Sequence, residues 1–278
     1  RFCKFLLPTE LVVNRRLYAR DIKTLFLKKK IIMAPNYEGY VDAQCRLIVI
    51  GSDTGILFNL SCHPVFNTSN NISSDFPGSI RRSLASNFKE SAFVQGFCGD
   101  IRPNSVIRGI SFNSLVLFFK TLINKISFKP ATSHYYDSFC KHISQAIIKN
   151  SALGSELHSD IKTRCFLAEL RSETGLCKKT LKCKLVLIDD ILLLSIPAEV
   201  NSKYIQIVES EFPKINIVPM GYAEKIVGYL PHWSEVKDGG YEVDSYSNYG
   251  WDKNISIQSL KETEFKILDE IRKIQKEV

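Results

Sequence analysis

The sequence predicts an α/β fold in which a mixed central sheet is flanked by helices. Three observations lead there. Short apolar runs of strand length alternate with longer segments of helical periodicity, turn residues separate them, and no shift of composition divides the chain. The same continuity argues for one domain over residues 1–278.

The run Lys28-Lys29-Lys30 gives way to Ile31 and Ile32, the start of a strand. Residues 47–50 and 55–62 are apolar runs split by Ser52-Asp53-Thr54-Gly55, a hairpin signal. A helix over 77–89 carries Ile80, Leu84 and Phe88 at helical spacing, with Pro77 in the first turn, where a missing N–H is harmless. Residues 92–97 read as a short buried strand and 112–128 as an apolar helix. Residues 136–153 form an amphipathic helix with Phe139, Ile143, Ala146 and Ile147 on one side. A second hairpin joins 181–188 to 191–196 across Asp189-Asp190. Residues 199–212 read as a helix stopped by Pro213, followed by a strand over 215–220 and an amphipathic terminal helix over 259–276.

A chain that is 45% hydrophobic and 24% charged builds a core and is not disordered. Its formal charge of +8 comes from scattered lysines. No arginine–aromatic stripe, zinc finger or helix-turn-helix signature accompanies it, which excludes nucleic acid as a partner. The charge is compatible with peripheral contact at an anionic membrane. The 8 cysteines form no Cys-x-x-Cys pair, and Cys62, Cys98 and Cys165 lie in apolar strand-like runs where a thiol acts as a small hydrophobe. A reducing, cytoplasmic setting is slightly favoured, although the even number leaves disulfides open. The longest apolar stretch, 115–119, falls far short of the ~20 residues that span a bilayer. The first residue is Arg1 and no signal peptide follows, so a fragment or processed product is expected.

Polar residues interrupt the apolar pattern at four places. Asn59-Leu60-Ser61-Cys62-His63-Pro64 ends a strand on a histidine, suited to a ligand at a sheet edge or to a satisfied structural role. Ser73-Ser74-Asp75 reads as a helix N-cap. Gly96-Phe97-Cys98-Gly99-Asp100-Ile101-Arg102 is a glycine-rich turn that lets backbone approach another group closely. Ile196-Pro197-Ala198-Glu199 places a carboxylate where a helix begins, and Tyr229 and Tyr241 follow; in isolation these are a helix-start acid and two half-buried aromatics.

In this order, the pieces Asn14-Arg15-Arg16, Cys62-His63-Pro64, Ser73-Ser74-Asp75-Phe76-Pro77-Gly78, Gly99-Asp100-Ile101-Arg102-Pro103-Asn104, Pro197-Ala198-Glu199, Gly221-Tyr222-Ala223, Gly228-Tyr229-Leu230-Pro231 and Gly239-Gly240-Tyr241-Glu242 resemble the neutral ceramidase family over most of the chain. The resemblance implies a zinc-dependent amidase acting on an N-acyl lipid or other N-acyl amide. One Zn2+ ion would be held by His63, Glu199 and Tyr229 together with a further histidine. It also implies that Tyr241 stabilises the oxyanion, that Arg15 lies near the scissile amide, and that Asp75, Gly99, Asp100 and Arg102 bind substrate or shape the site.

Two departures qualify that picture. The family's other histidine belongs to a segment upstream of where this chain begins, and His134, His142 and His158 do not match it. His232, three residues after Tyr229, is a substitute only if it is not a surface residue, the reading its position favours. The family's serine in the Gly-Asp turn is Arg102 here, which excludes a serine nucleophile at that position and leaves a zinc-activated water. The C-terminal β-sandwich of larger members is also expected to be missing. The alternative is a degenerate, non-catalytic relative acting as a binding or scaffold protein.

Overall fold

The computed structural model describes residues 1–20, 29–52, 54–105, 128, 130–158 and 161–277. The expected helix over 112–128 lies outside them apart from Phe128, as do Lys28 and Asp53.

The first sheet has the order β1-β4-β5-β6, built from β1 (Phe2–Leu6), β4 (Gln44–Ile50), β5 (Gly55–Leu60) and β6 (Glu90–Gln95). The predicted hairpin pairs β4 with β5, and Cys45, Leu47, Val49, Phe58 and Leu60 are buried along it. β6 runs parallel to β5, which requires a crossover, supplied by α1 (Asp75–Leu84). Phe76, Ile80 and Leu84, four residues apart, form the buried stripe of α1. The helix begins and ends earlier than the predicted 77–89. Its last turn closes when the amides of Asn87 and Phe88 both return to the Leu84 carbonyl, at 2.9 and 3.0 Å, and Phe88 is buried just beyond the end. α2 (Ser133–Ser151) packs on this layer through Phe139, Ile143 and Ile147; the Thr132 side chain caps it by accepting from the Tyr135 amide.

The second sheet has the order β12-β10-β9-β8, from β8 (Lys162–Arg171), β9 (Lys178–Ile188), β10 (Ile191–Ser195) and β12 (Asn216–Met220). β8 contains the apolar run around Cys165, but only Phe166, Ala168 and Leu170 face the core, while Cys165, Leu167, Glu169 and Arg171 alternate with them on the outer face. That alternation puts Cys165 outward, so it is exposed rather than buried; all eight cysteines are free thiols. α3 (Lys203–Glu211) and α4 (Ile257–Lys276) cover this sheet with Tyr204, Ile205, Leu260, Ile267, Ile271 and Ile274.

The mixed α/β class therefore holds, with the strands divided between two four-stranded sheets rather than gathered in one. The sheets meet at β6 and β12. The Asn59 side chain, buried in β5, donates to the Val94 and Pro219 carbonyls at 3.0 and 2.7 Å, and the Gly221 amide donates to the Gln95 carbonyl. A buried ion pair also crosses between them: Arg46 of β4 donates to Asp42 at 2.9 Å and to Glu209 of α3 at 2.8 Å.

Two small ladders complete the frame. β2 (Val12–Arg20) lies between β3 (Lys29–Asn36) and β7 (Ile101–Pro103). The β2–β3 register shifts between Asn14 and Arg16, opposite a stretch of β3 that contains Pro35, which has no amide to give the ladder. β11 (Glu199–Val200) pairs in parallel with β13 (Tyr229–Leu230). Residues 199 and 200 are thus strand, and the helix predicted from 199 starts at Lys203. Among the described residues no helix is long and apolar enough to cross a membrane.

Candidate functional site

The ladder of β11 and β13 sets Glu199 directly opposite Tyr229, although the two are far apart in sequence. Glu199 is a buried strand carboxylate, not a helix-start acid. The helix start is served instead by Asp100, whose oxygens accept from the Ser202 amide at 2.7 Å and the Ser202 hydroxyl at 2.8 Å. Asp100 also accepts from Asn14, and its carbonyl takes the Arg15 amide, so its role in the structure is to tie β2 to α3.

His63 arrives just beyond β5, where its amide donates to the Ile101 carbonyl at 3.1 Å. Its Nδ1 lies 2.9 Å from that same carbonyl, so Nδ1 carries the donated proton and Nε2 faces inward. Nε2 is 3.2 Å from Glu199 Oε2 and 3.0 Å from the Tyr222 hydroxyl. Tyr222 donates to Glu199 Oε2 at 2.7 Å, and Tyr249 donates to Oε1 at 2.5 Å.

Arg15 closes the other side. Its Nη2 donates to the Gly99 carbonyl at 2.8 Å and to the Tyr229 hydroxyl at 3.1 Å, while Nε donates to Glu242 at 2.8 Å. Arg16 takes the other Glu242 oxygen at 2.5 Å, so one buried carboxylate holds two successive arginines. The Tyr241 ring stands edge-on to Tyr229, at 5.7 Å, and lies under the Arg15 guanidinium at 5.5 Å; it is 47% exposed, which puts it at the mouth of the cluster. Gly99 is required by contact: a Cβ there would stand 2.9 Å from the backbone of Glu199 and Val200.

The electrostatics follow from this packing. Burial works against the Glu199 charge, but hydrogen bonds from His63, Tyr249, Tyr222 and Tyr229 overcome it and hold the carboxyl at about 2. Burial also disfavours the His63 imidazolium, yet the Cys98 sulfur and Glu199 raise it to about 9. Burial pushes the Tyr229 phenol well up despite Arg15.

The sequence-predicted residues thus divide. His63, Glu199, Tyr229, Arg15 and Tyr241 meet in one cluster, with Gly99 against its backbone. Asp75 does not join it by any hydrogen bond or ion pair. It takes a positive φ of 49°, accepts from the Asn67 and Phe76 amides, and fixes a loop to α1; the N-cap is Ser74, whose side chain makes no capping bond. His232 is not on the surface: it is buried, bonded to Glu264 and Ser234, and caps a 3-10 turn, away from the cluster. Tyr222, Tyr249 and Glu242 carry much of the geometry without a role assigned by sequence reasoning. Tyr222 and Glu242 stand inside the quoted motifs, whereas nothing local marks Tyr249.

The donors suit a metal in type and spacing. Two ligands each about 2.0–2.1 Å from one tetrahedral zinc lie roughly 3.3 Å apart, and His63 Nε2 and Glu199 Oε2 are separated by 3.2 Å. Among the described residues no group of three or more His, Cys, Asp or Glu side chains could hold a metal ion.

No protein-family model and no curated protein matches the sequence. Among solved structures, the chain is similar to the crystal structure of neutral ceramidase from Pseudomonas aeruginosa, with 14% identity, a TM-score of 0.63, and coverage of 96% of this chain and 51% of that one. It is also similar to a ceramidase complexed with C2, at 13% identity and a TM-score of 0.56, over 96% of this chain and 52% of that one. At such identities the likeness is one of fold, and the chain spans about half the length of these structures.

Proposed function

We propose that this chain is part of a zinc-dependent hydrolase that cleaves the amide of an N-acyl lipid of the ceramide kind. The observation that supports the reading best is the meeting of His63, Glu199 and Tyr229, from three distant segments, within a ceramidase-like fold. These three would hold the ion. Zinc, when bound, supplies a Lewis acid and a water acidic near pH 7. The chain's own residues do the rest. The Ile101 carbonyl keeps the imidazole proton on Nδ1 and so frees Nε2 for bonding. Glu242 holds Arg15 in place, and Arg15 with Tyr241 supplies hydrogen-bond donors where negative charge develops on the scissile carbonyl oxygen. One such donor is worth ~3 kcal/mol of barrier. Surface lysines would add about 1 kcal/mol each at an anionic lipid surface.

A second reading, a non-catalytic relative that binds without cutting, is favoured by one observation. His63 and Glu199 already satisfy each other and share the Tyr222 hydroxyl. The deciding experiment measures bound zinc by mass spectrometry together with hydrolysis of N-dodecanoylsphingosine, for the protein expressed from its native start and for its Glu199→Gln variant. About one zinc per chain and measurable turnover, both lost in the variant, are expected. A wild-type protein that binds no zinc and cuts no amide overturns the hydrolase.

A further inference from the structure

Among the described residues, Arg102 is the cation at this site that no carboxylate answers. Arg15 and Arg16 share Glu242, and Arg16 also reaches Glu235 at 3.2 Å. Arg102 has no ion pair or hydrogen bond among the described residues, and its Nε is buried without a partner. Its place is set by the ladder. Arg102 is opposite Val13 on β2, so alternation puts it on the face shared by Val13 and Arg15, diagonal to Arg15. The backbone just before it accepts both bonds from His63.

The Phe128 ring lies 4.1 Å from the guanidinium carbon. Stacking of this kind covers one face of the planar group and leaves its N–H edge free, the edge that grips a carboxylate or phosphate in bidentate fashion. Burial and the neighbouring Arg15 both disfavour the Arg102 charge, so an anion placed there relieves two penalties together.

We infer that Arg102 binds an anionic group of the substrate, so that the preferred N-acyl amide carries a carboxylate or phosphate beside its scissile bond. This rests on the hydrolase reading for the word substrate, and on the arginine alone for the anion.

The test is calorimetric binding to the full chain of three probes: N-dodecanoylglycine, N-dodecanoylethanolamine and dodecanoate. The wild type is expected to bind the acidic amide at least about tenfold tighter than the neutral one, as expected for a charge-assisted bidentate contact. Arg102→Ala should erase that ratio and Arg102→Lys should keep part of it, with thermal melts establishing that each variant is folded. Equal affinity for the two amides in the wild type, or an unchanged ratio in Arg102→Ala, overturns the inference. So does dodecanoate binding as tightly as N-dodecanoylglycine, since the anion would then be that of the released acid. Failure of the hydrolase reading looks different: the binding ratio persists while no amide is cut.

Discussion

Among the described residues, the arginine cluster at Arg46 and the one at Arg15, Arg16 and Arg102 are built to different ends. At Arg46 the charge is enclosed and answered. Asp42 takes two of its nitrogens, Glu209 takes another contact, and Asp42 is itself held by the Ser61 hydroxyl at 2.7 Å. At Arg15, Arg16 and Arg102 three cations share fewer carboxylates, and the surplus lies beside the His63–Glu199 pair. Both clusters bury an arginine Nε without a partner, so that feature alone does not separate them. What separates them is whether the remaining nitrogens meet an anion. The closed cluster joins two sheets; in the open one Arg102 meets no carboxylate among the described residues.

The contrast can be broken first at its closed end. Asp42→Ala leaves Arg46 buried beside a single remaining carboxylate, and is expected to cost about 3–5 kcal/mol in urea unfolding. A loss below about 1 kcal/mol would show that Arg46 is not held as described. At the open end, Glu242→Ala removes the carboxylate of Arg15 and one of the two that Arg16 reaches. A loss of about 2–4 kcal/mol is expected, with amide turnover falling because Arg15 is no longer oriented. Unchanged stability and turnover would remove Glu242 from its positioning role.

A pH measurement sharpens the same comparison. Glu235 faces Arg16 of β2, Asp100, Lys203 of α3, and Glu242, and burial lifts it to about 7 against an ordinary 4.5. The folded state therefore holds a proton that the unfolded chain releases. Its contribution is fully present below about 4.5 and is lost as the pH rises through about 7. Glu235→Gln should flatten that fall, on the order of 3 kcal/mol between those limits. An identical pH profile in the variant would contradict it. The smallest effect expected is from Tyr249→Phe, which removes one donor to Glu199 and should cost about 1 kcal/mol in thermal unfolding.

Much of this frame is legible in the sequence. The hairpins at 44–60 and 178–195 and the stripes of α2 and α4 follow from local periodicity, which tertiary packing only reinforces. The misplaced onset at Glu199 has a physical cause: the first two residues of an apparent helix are captured by a ladder to residues thirty positions away. The site is half legible for the same reason. His63, Glu199, Tyr229 and Arg15 stand in recognisable motifs. Tyr249 is recruited by a 3-10 turn (Ser245–Tyr249) and the left-handed Gly250 that follows it, features without periodicity. Asp75 and His232, chemically apt in the sequence, are engaged by a loop and a cap.

The short parallel ladder of β11 and β13 has a practical result for anyone altering this protein. Main-chain groups, not the carboxyl and the phenol, hold those two segments side by side. Exchanging either side chain leaves that main-chain pairing in place, so a dead variant at 199 or 229 whose thermal melt matches the wild type reports on chemistry rather than on collapse.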